Sequence, residues 1–255
     1  MKVSSERIIP KKVDRSSFYL EHIQRYRFCK RYVAKKLVLD VGCGVGYGSY
    51  ELTKLGASFV NAVDIDKASI RYATKNYSNP KIRFEQSDAL NLSFTNNSFD
   101  VIISMEVIEH VKNVNLFLRE ILRVLKPNGY CILSTPNRLQ YRAGTSLYHE
   151  KEFSVPELKK QLSAHGVFCK IYGQKIKSKK FVQEEIKYFN RYQRLTLGSN
   201  RFIKKLFTYI PSLLKSSIYK LLWGQQPILK SSDFIISGKK LDQAITLIAV
   251  CQKIK

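Results

Sequence analysis

Three aspartates and a run of glycines carry the chemistry that can be read from this chain. Residues 38–49 are VLDVGCGVGYGS, with Asp40 near the end of an apolar run and Gly42, Gly44, Gly46 and Gly48 after it. Glycine in regular structure costs roughly 1 kcal/mol against alanine, so such a cluster needs a reason, and the usual one is close approach of something to bare backbone. Asp40 stands two residues before the first glycine. A carboxylate there repels a pyrophosphate, which argues against the dinucleotide pattern GxGxxG. It suits a ligand that offers hydrogen-bond donors or positive charge. Asp64 follows Gly46 by 18 residues, where a carboxylate can accept both hydroxyls of a ribose. Asp88, in SDAL, can accept from the exocyclic amine of an adenine. Each has a plainer alternative: Asp40 capping the next helix, Asp64 opening a turn, Asp88 closing an Asx turn. Together they fit one ligand on three successive strand ends, an adenosine without phosphates that carries an ammonium and a sulfonium.

Those positions need strands to hold them. LVLDV (37–41), SFVNAVD (58–64), KIRFEQSD (81–88), SFDVIIS (98–104), YCILST (130–135), VFCKIYG (167–173) and AITLIAVCQ (244–252) read as seven strands. Helical patterns lie between them: 47–55 ending at Gly56, a helix from an Asp66 cap to about Tyr77, 113–125, and one opened by Ser154 and Pro156. KPNG (126–129) reads as a turn, and residues 17–33 as one N-terminal helix. The alternation predicts an α/β fold, a Rossmann-like seven-stranded, mostly parallel sheet with helices on both faces. Such sheets bind ligands outside the carboxyl ends of their strands. The organisation expected is a helical cap (1–36), a main domain (37–173 with 241–255) and a basic helical insertion (174–240) between the last two strands.

The net charge of +24 is unevenly spread. Residues 1–36 contribute +8, 37–169 only +2, and 170–240 contribute +13. The positive charge therefore belongs to added surfaces that face an anionic partner. Five scattered cysteines form no metal-ligand spacing and read as free thiols in a reducing cytosol. Residues 1–20 hold no apolar signal segment, and no window approaches a membrane span, so a cytoplasmic location is expected.

The stretch from Leu37 to Asn137 resembles the class I S-adenosylmethionine-dependent methyltransferases, in the methyltransferase type 11 branch that includes ubiquinone-biosynthesis O-methyltransferases. The resemblance is carried by LDVGCGVGYGS (39–49), VDID (63–66), SDAL (87–90), FDVIISMEVIEHV (99–111) and LREILRVLKPNGYCILSTPN (118–137). EHIQRYRFCKRYV (21–33) looks like the helix that closes over the cofactor, and YHEKEFSVPEL (148–158) like the segment before the last helix. Residues 174–240 stay unmatched. The resemblance implies S-adenosylmethionine as cofactor. It implies Asp40, Gly42 and Gly44 at the methionine end, Asp64 at the ribose and Asp88 at the adenine. Cys43, Gly46, Ile65, Ala89 and Met105 would also meet the cofactor, with Arg25 or Tyr26 near the methionine carboxylate.

Methyl transfer is an in-line displacement in which the protein mainly aligns the reactants. A hydroxyl acceptor needs a base, and His149 (in LYHEKEF) and His110 (in MEVIEHV) are the candidates. Asn137, in STPN, is the candidate acceptor contact. Some related O-methyltransferases use ExxEH with a further histidine to hold magnesium, which here would be Glu106, Glu109, His110 and His149. The same spelling is widespread where no metal is needed, and no metal is the expectation.

Residues 199–223 place Ile203, Leu206, Phe207, Ile210, Leu213, Leu214, Ile218 and Leu221 on one helical face, with Arg201, Lys204, Lys205 and Lys215 opposite, Lys220 as the exception and Trp223 at the end. That is the composition of a lid over an acceptor or of a helix lying on an anionic membrane, kinked at Pro211. The expected activity is O-methylation of a small molecule, glycan or lipid-linked precursor by a cytoplasmic enzyme, peripheral on the inner membrane face if the insertion docks there. RNA methylation is the first rival and a non-catalytic cofactor-binding module the second. Nucleic acid is the weaker partner, because the cations accompany an apolar face rather than alternating with aromatics.

Overall fold

The computed structural model describes residues 17–140, 149–177, 183 and 230–254. The segment 199–223 and the first 16 residues lie outside that set. In chain order the elements are α1 (Ser17–Phe28), α2 (Lys30–Val33), β1 (Leu37–Val41), α3 (Tyr47–Lys54), β2 (Phe59–Asp64), α4 (Lys67–Asn76) and β3 (Ile82–Gln86). They continue with β4 (Phe99–Met105), α5 (Val114–Val124), β5 (Leu125–Pro136), α6 (Val155–Ser163), β6 (Val167–Ile176), β7 (Phe234–Ser237) and β8 (Thr246–Lys253).

One sheet runs in the order β3-β2-β1-β4-β5-β8-β6-β7. Strands β3 to β5 are parallel, while β8 lies antiparallel between β5 and β6. The chain reverses direction of travel at β1, which is flanked by β2 and β4, so a crevice opens outside the carboxyl ends of β1 and β4. The sheet has eight strands rather than seven. The addition is β7, FIIS, which pairs antiparallel with β6 at the edge and takes residues 234–237 out of the expected insertion. The KPNG turn is absorbed into β5 as a bulge, where pairing jumps from Phe99↔Leu125 to Val101↔Tyr130 with Asn128 at φ 62°. The N-terminal helix is broken at Cys29 into α1 and α2.

Side chains alternate across the sheet, so each strand feeds two cores. Leu39 and Val41 of β1 pack with Phe117 and Ile121 of α5 and Leu158 of α6. Val38 faces the other way, with Cys29 and Val33 beneath the N-terminal helices and Leu52 of α3. Asp40 shares that second face by the same period. This alternation fixes where the first candidate carboxylate must go.

The cysteines differ from expectation. Register Cys169↔Cys251 sets two of them directly opposite on β6 and β8, and they form a disulfide. Cys29, Cys43 and Cys131 remain free and buried. Among the described residues, no helix is long and apolar enough to cross a membrane.

Candidate active site

The glycine loop is clamped before any ligand arrives. Gly42 N and Cys43 N both donate to Val63 O, at 2.8 and 2.9 Å. Gly44 N donates to Asp64 Oδ2 at 2.8 Å, and Asp66 N to Asp64 Oδ1 at 2.9 Å. Asp64 therefore locks the loop after β1 to the start of α4. Each of its oxygens keeps further lone-pair capacity for a ligand. Asp66 caps α4 by accepting from Ala68 N and Ser69 N.

The bareness of the loop has two causes. At Gly46, φ is +88°, and an added Cβ would lie 2.6 Å from Ala73 Cβ and 2.8 Å from the Phe84 ring. Gly42 is similarly closed by Val107 and Gly48 by Tyr26. These three glycines let helices and loops pack. Gly44 differs: at φ +55° an added Cβ would meet nothing within 4 Å. Its open side is the place where a ligand can lie directly on the backbone.

Asp40 is fully buried and accepts from Ser49 Oγ at 2.5 Å and from Tyr26 Oη at 3.3 Å to each oxygen. It ties α1 and α3 to β1. Burial pushes its carboxyl up to about 7, against the pull of the Ser49 and Tyr26 hydrogen bonds. Asp88 is exposed, and its Oδ1 accepts from Leu90 N, an Asx turn. Ile65 lies between these carboxylates in the chain with 63% of its surface exposed. Ala89 packs against the core on the Leu39 side of the sheet, and Cys43 and Met105 are buried in the core on the Val38 side.

Arg25 is the buried centre of a polar network that sequence reasoning only touched. Its Nη1 donates to Glu21 Oε1 (3.1 Å), Gln174 Oε1 (2.8 Å) and Thr246 Oγ1 (3.4 Å). Its Nη2 lies 3.9 Å from Glu106 Oε1. Its Nε is buried with no hydrogen-bond partner among the described residues, a donor left over for an anionic group. Gln174 and Thr246 were missed. They are register partners, Gln174 within β6 and Thr246 at the start of β8, and nothing in their spacing along the chain marks them.

At the end of β4 the motif splits. Glu106, at φ 56°, accepts from Ser134 Oγ at 2.9 Å and faces Arg25. Glu109 is completely buried, and both its oxygens lack a hydrogen-bond partner among the described residues. Burial raises its carboxyl well above the usual range, and the Glu106 charge adds to that. The Glu109 carbonyl accepts from Glu150 N at 2.8 Å and from Lys151 N at 3.2 Å, which brings the segment after residue 148 onto this loop. His149 thus meets His110, with ring centroids 4.9 Å apart. Its Nδ1 is hydrogen-bonded to Glu152 Oε1 at 2.9 Å.

Ligand atoms of Glu109, His110 and His149 all lie within 4.8 Å of one another. Glu106 is not part of this group, because Ser134 and Arg25 hold it. Two imidazoles and one carboxylate suit a transition-series divalent cation better than magnesium, which prefers oxygen donors.

Asn137, expected at the acceptor, is fully buried and used internally. Its Nδ2 donates to Ala244 O (2.7 Å) and Leu241 O (3.2 Å), and its Oδ1 accepts from Leu139 N (3.2 Å). It staples the end of β5 to the turn before β8.

Residues 39–133 match the family described as "Methyltransferase domain". A probable S-adenosylmethionine-dependent methyltransferase of Mycolicibacterium smegmatis is 30% identical over 168 residues, covering 64% of each chain. The ubiquinone biosynthesis O-methyltransferase of Rickettsia canadensis is 39% identical over 110 residues, covering 42% of this chain and 46% of its own. The chain spans less than two thirds of the length of such relatives: 64% for the first and 57% for a similar protein of Mycobacterium tuberculosis. A crystal structure of an S-adenosylmethionine-dependent methyltransferase from Mesorhizobium loti shares the fold, with TM-score 0.54 and 16% identity over 89% of this chain and 95% of that one.

Proposed function

We propose, from the premise that this chain carries a class I S-adenosylmethionine-dependent methyltransferase domain, that it transfers a methyl group from S-adenosylmethionine to a hydroxyl of a small molecule, glycan or lipid-linked precursor. The carrying observation is the open side of Gly44 beside an Asp64 already fixed by two backbone donors. The residues fit the cofactor. Asp64 accepts from the ribose hydroxyls, exposed Ile65 lies under the adenine, and Asp88 accepts from its amine. The orphan Nε of Arg25 is the donor for the methionine carboxylate.

Bound there, the sulfonium supplies an electrophilic methyl group. The protein's own work is alignment and proton handling. The paired imidazoles of His149 and His110 take the acceptor's hydroxyl proton, and Glu152 orients His149 through Nδ1. A methyl ether is the product and S-adenosylhomocysteine leaves.

Asp64→Asn tests the cofactor seat. The amide can accept only one of the two backbone donors, so a charge-assisted bond worth about 1.5–3 kcal/mol is lost. Affinity for S-adenosylhomocysteine should fall by roughly 10- to 100-fold. Unchanged affinity removes the ribose assignment.

A second reading rests on the convergence of Glu109, His110 and His149. These three would hold a divalent ion beside the acceptor oxygen and lower the pKa of its hydroxyl. Turnover that survives exhaustive chelation, in protein shown to be free of metal by elemental analysis, rejects that reading.

A further inference from the structure

A groove of about 730 Å³ is lined by Phe28, Lys30 and Arg31 from the N-terminal helices, Lys170 and Tyr172 of β6, and Ile236 of β7. Arg31 is its organised centre. Its Nη2 donates to Tyr32 Oη at 2.7 Å and to Tyr172 Oη at 3.3 Å. Its guanidinium carbon lies 4.7 Å from the Tyr32 ring centroid and 5.7 Å from that of Phe28. Lys170 Nζ lies 5.3 Å from the centroid of Tyr172. Among the described residues, no carboxylate forms an ion pair with Lys30, Arg31 or Lys170. Neutral phenols and rings therefore hold Arg31 and Lys170 in place without neutralising them, which is how a receptor for anions is built.

The same face carries an apolar point. Side chains of β6 alternate: Val167, Cys169 and Ile171 enter the core, while Phe168, Lys170 and Tyr172 share the groove side. Phe168 is 71% exposed. Residues 178–229 leave from β6 and return at β7, the two strands that line the groove, and that segment holds ten Lys and Arg against two Glu. We propose that this face, with Phe168 as the inserting side chain and Lys30, Arg31 and Lys170 on headgroup phosphates, docks the protein on an anionic phospholipid surface.

An exposed aromatic beside lysine and arginine is the arrangement of interfacial membrane binding. Single-stranded RNA fits less well. It needs free ring faces for base stacking, and here Arg31 and Lys170 already lie over those of Phe28, Tyr32 and Tyr172. The groove borders the Arg25 network: Ile236 in its lining is the register partner of Gln174, which accepts from Arg25, and Tyr172 stands two residues before Gln174 on β6.

The test is flotation of the full chain with vesicles of phosphatidylcholine alone or mixed with phosphatidylglycerol. The unmodified protein should float with the mixed vesicles and not with phosphatidylcholine alone. Arg31→Glu with Lys170→Glu should reduce partitioning at least tenfold, since each cation near an anionic surface is worth about fivefold. Phe168→Ser should also weaken it. Arg71→Glu with Lys75→Glu, the same charge change on exposed positions of α4, should cost less than about threefold, because screened charges away from the contact contribute little. No flotation of the unmodified protein, equal flotation of the groove variant, or equal loss in the α4 control overturns the proposal. So does retention of labelled single-stranded RNA that the groove variant loses while flotation is absent. S-adenosylhomocysteine titration of the groove variant should match the unmodified protein. A loss there would count against the fold of the variant, and an absence in both would count against the methyltransferase reading.

Discussion

Alanine at Gly44 and at Gly46 should separate ligand contact from packing. Both glycines have positive φ, and a side chain in that region costs about 1–2 kcal/mol. At Gly44 nothing is added to that, because the new Cβ meets no atom within 4 Å. The melting temperature should fall by roughly 2–8 °C for a chain of this size. At Gly46 the Cβ would stand 2.6 Å from Ala73 Cβ and 2.8 Å from Phe84, so α4 or β3 must move. Overpacking adds about 1–3 kcal/mol. The sum, about 2–5 kcal/mol, is a large share of the roughly 5–15 kcal/mol that holds a domain together. Cofactor binding should show the opposite order. The Gly44 methyl occupies the surface on which the ligand lies, and affinity for S-adenosylhomocysteine should fall at least about tenfold by the same overpacking cost. Thermal melts and calorimetric titration of the two variants decide the matter. If Gly44→Ala binds within about twofold of the unmodified protein, Gly44 is bare for a reason other than the ligand.

Three further outcomes follow from the buried groups. Asp40 keeps its proton in the folded protein up to about pH 7, while the unfolded chain releases it near 3.8. Its contribution to stability therefore falls as pH rises from about 4 to 7 and is flat above. Asp40→Asn should remove that slope, and denaturation measured against pH in both proteins checks it; parallel curves would mean that the carboxylate ionises normally. His149→Ala should lower turnover by about 10²- to 10⁴-fold with cofactor affinity unchanged, and Glu152→Gln should shift the pH–rate profile without abolishing turnover. Full activity of the His149 variant ends its role as base or ligand. Asn137→Ala strands the carbonyls of Ala244 and Leu241, at about 1–3 kcal/mol each, and urea denaturation should register the loss. A stability equal to that of the unmodified protein would return Asn137 to the acceptor side.

Local signals carried the strand ends and their carboxylates. The β1–glycine–α3 turn, the Asp66 cap and the end of β2 at Asp64 are set within a few residues of chain, and the structure places them where the sequence pattern does. What escaped was set by pairing across the sheet. Asn137 is a polar residue after a strand in the sequence, but the turn at Leu241–Ala244, more than a hundred residues on, occupies its amide. The Cys169–Cys251 bond depends on β8 inserting between β5 and β6, an order that spacing along the chain does not contain. Asp40 reads as a ligand residue by spacing alone. The two-residue period of β1 turns it under α3, and there Ser49 and Tyr26 engage it. Glu106 and Glu109 look equivalent in ExxEH, yet Ser134 and Arg25 claim the first and leave the second bare.

The most direct test of the cofactor seat is calorimetric titration of the unmodified protein with S-adenosylhomocysteine, with NAD in parallel. A seat formed by Asp64, the open face of Gly44 and the orphan Nε of Arg25 predicts one-to-one binding of S-adenosylhomocysteine and none of the pyrophosphate-bearing dinucleotide. Equal or preferential binding of NAD, or no heat with either, would contradict it.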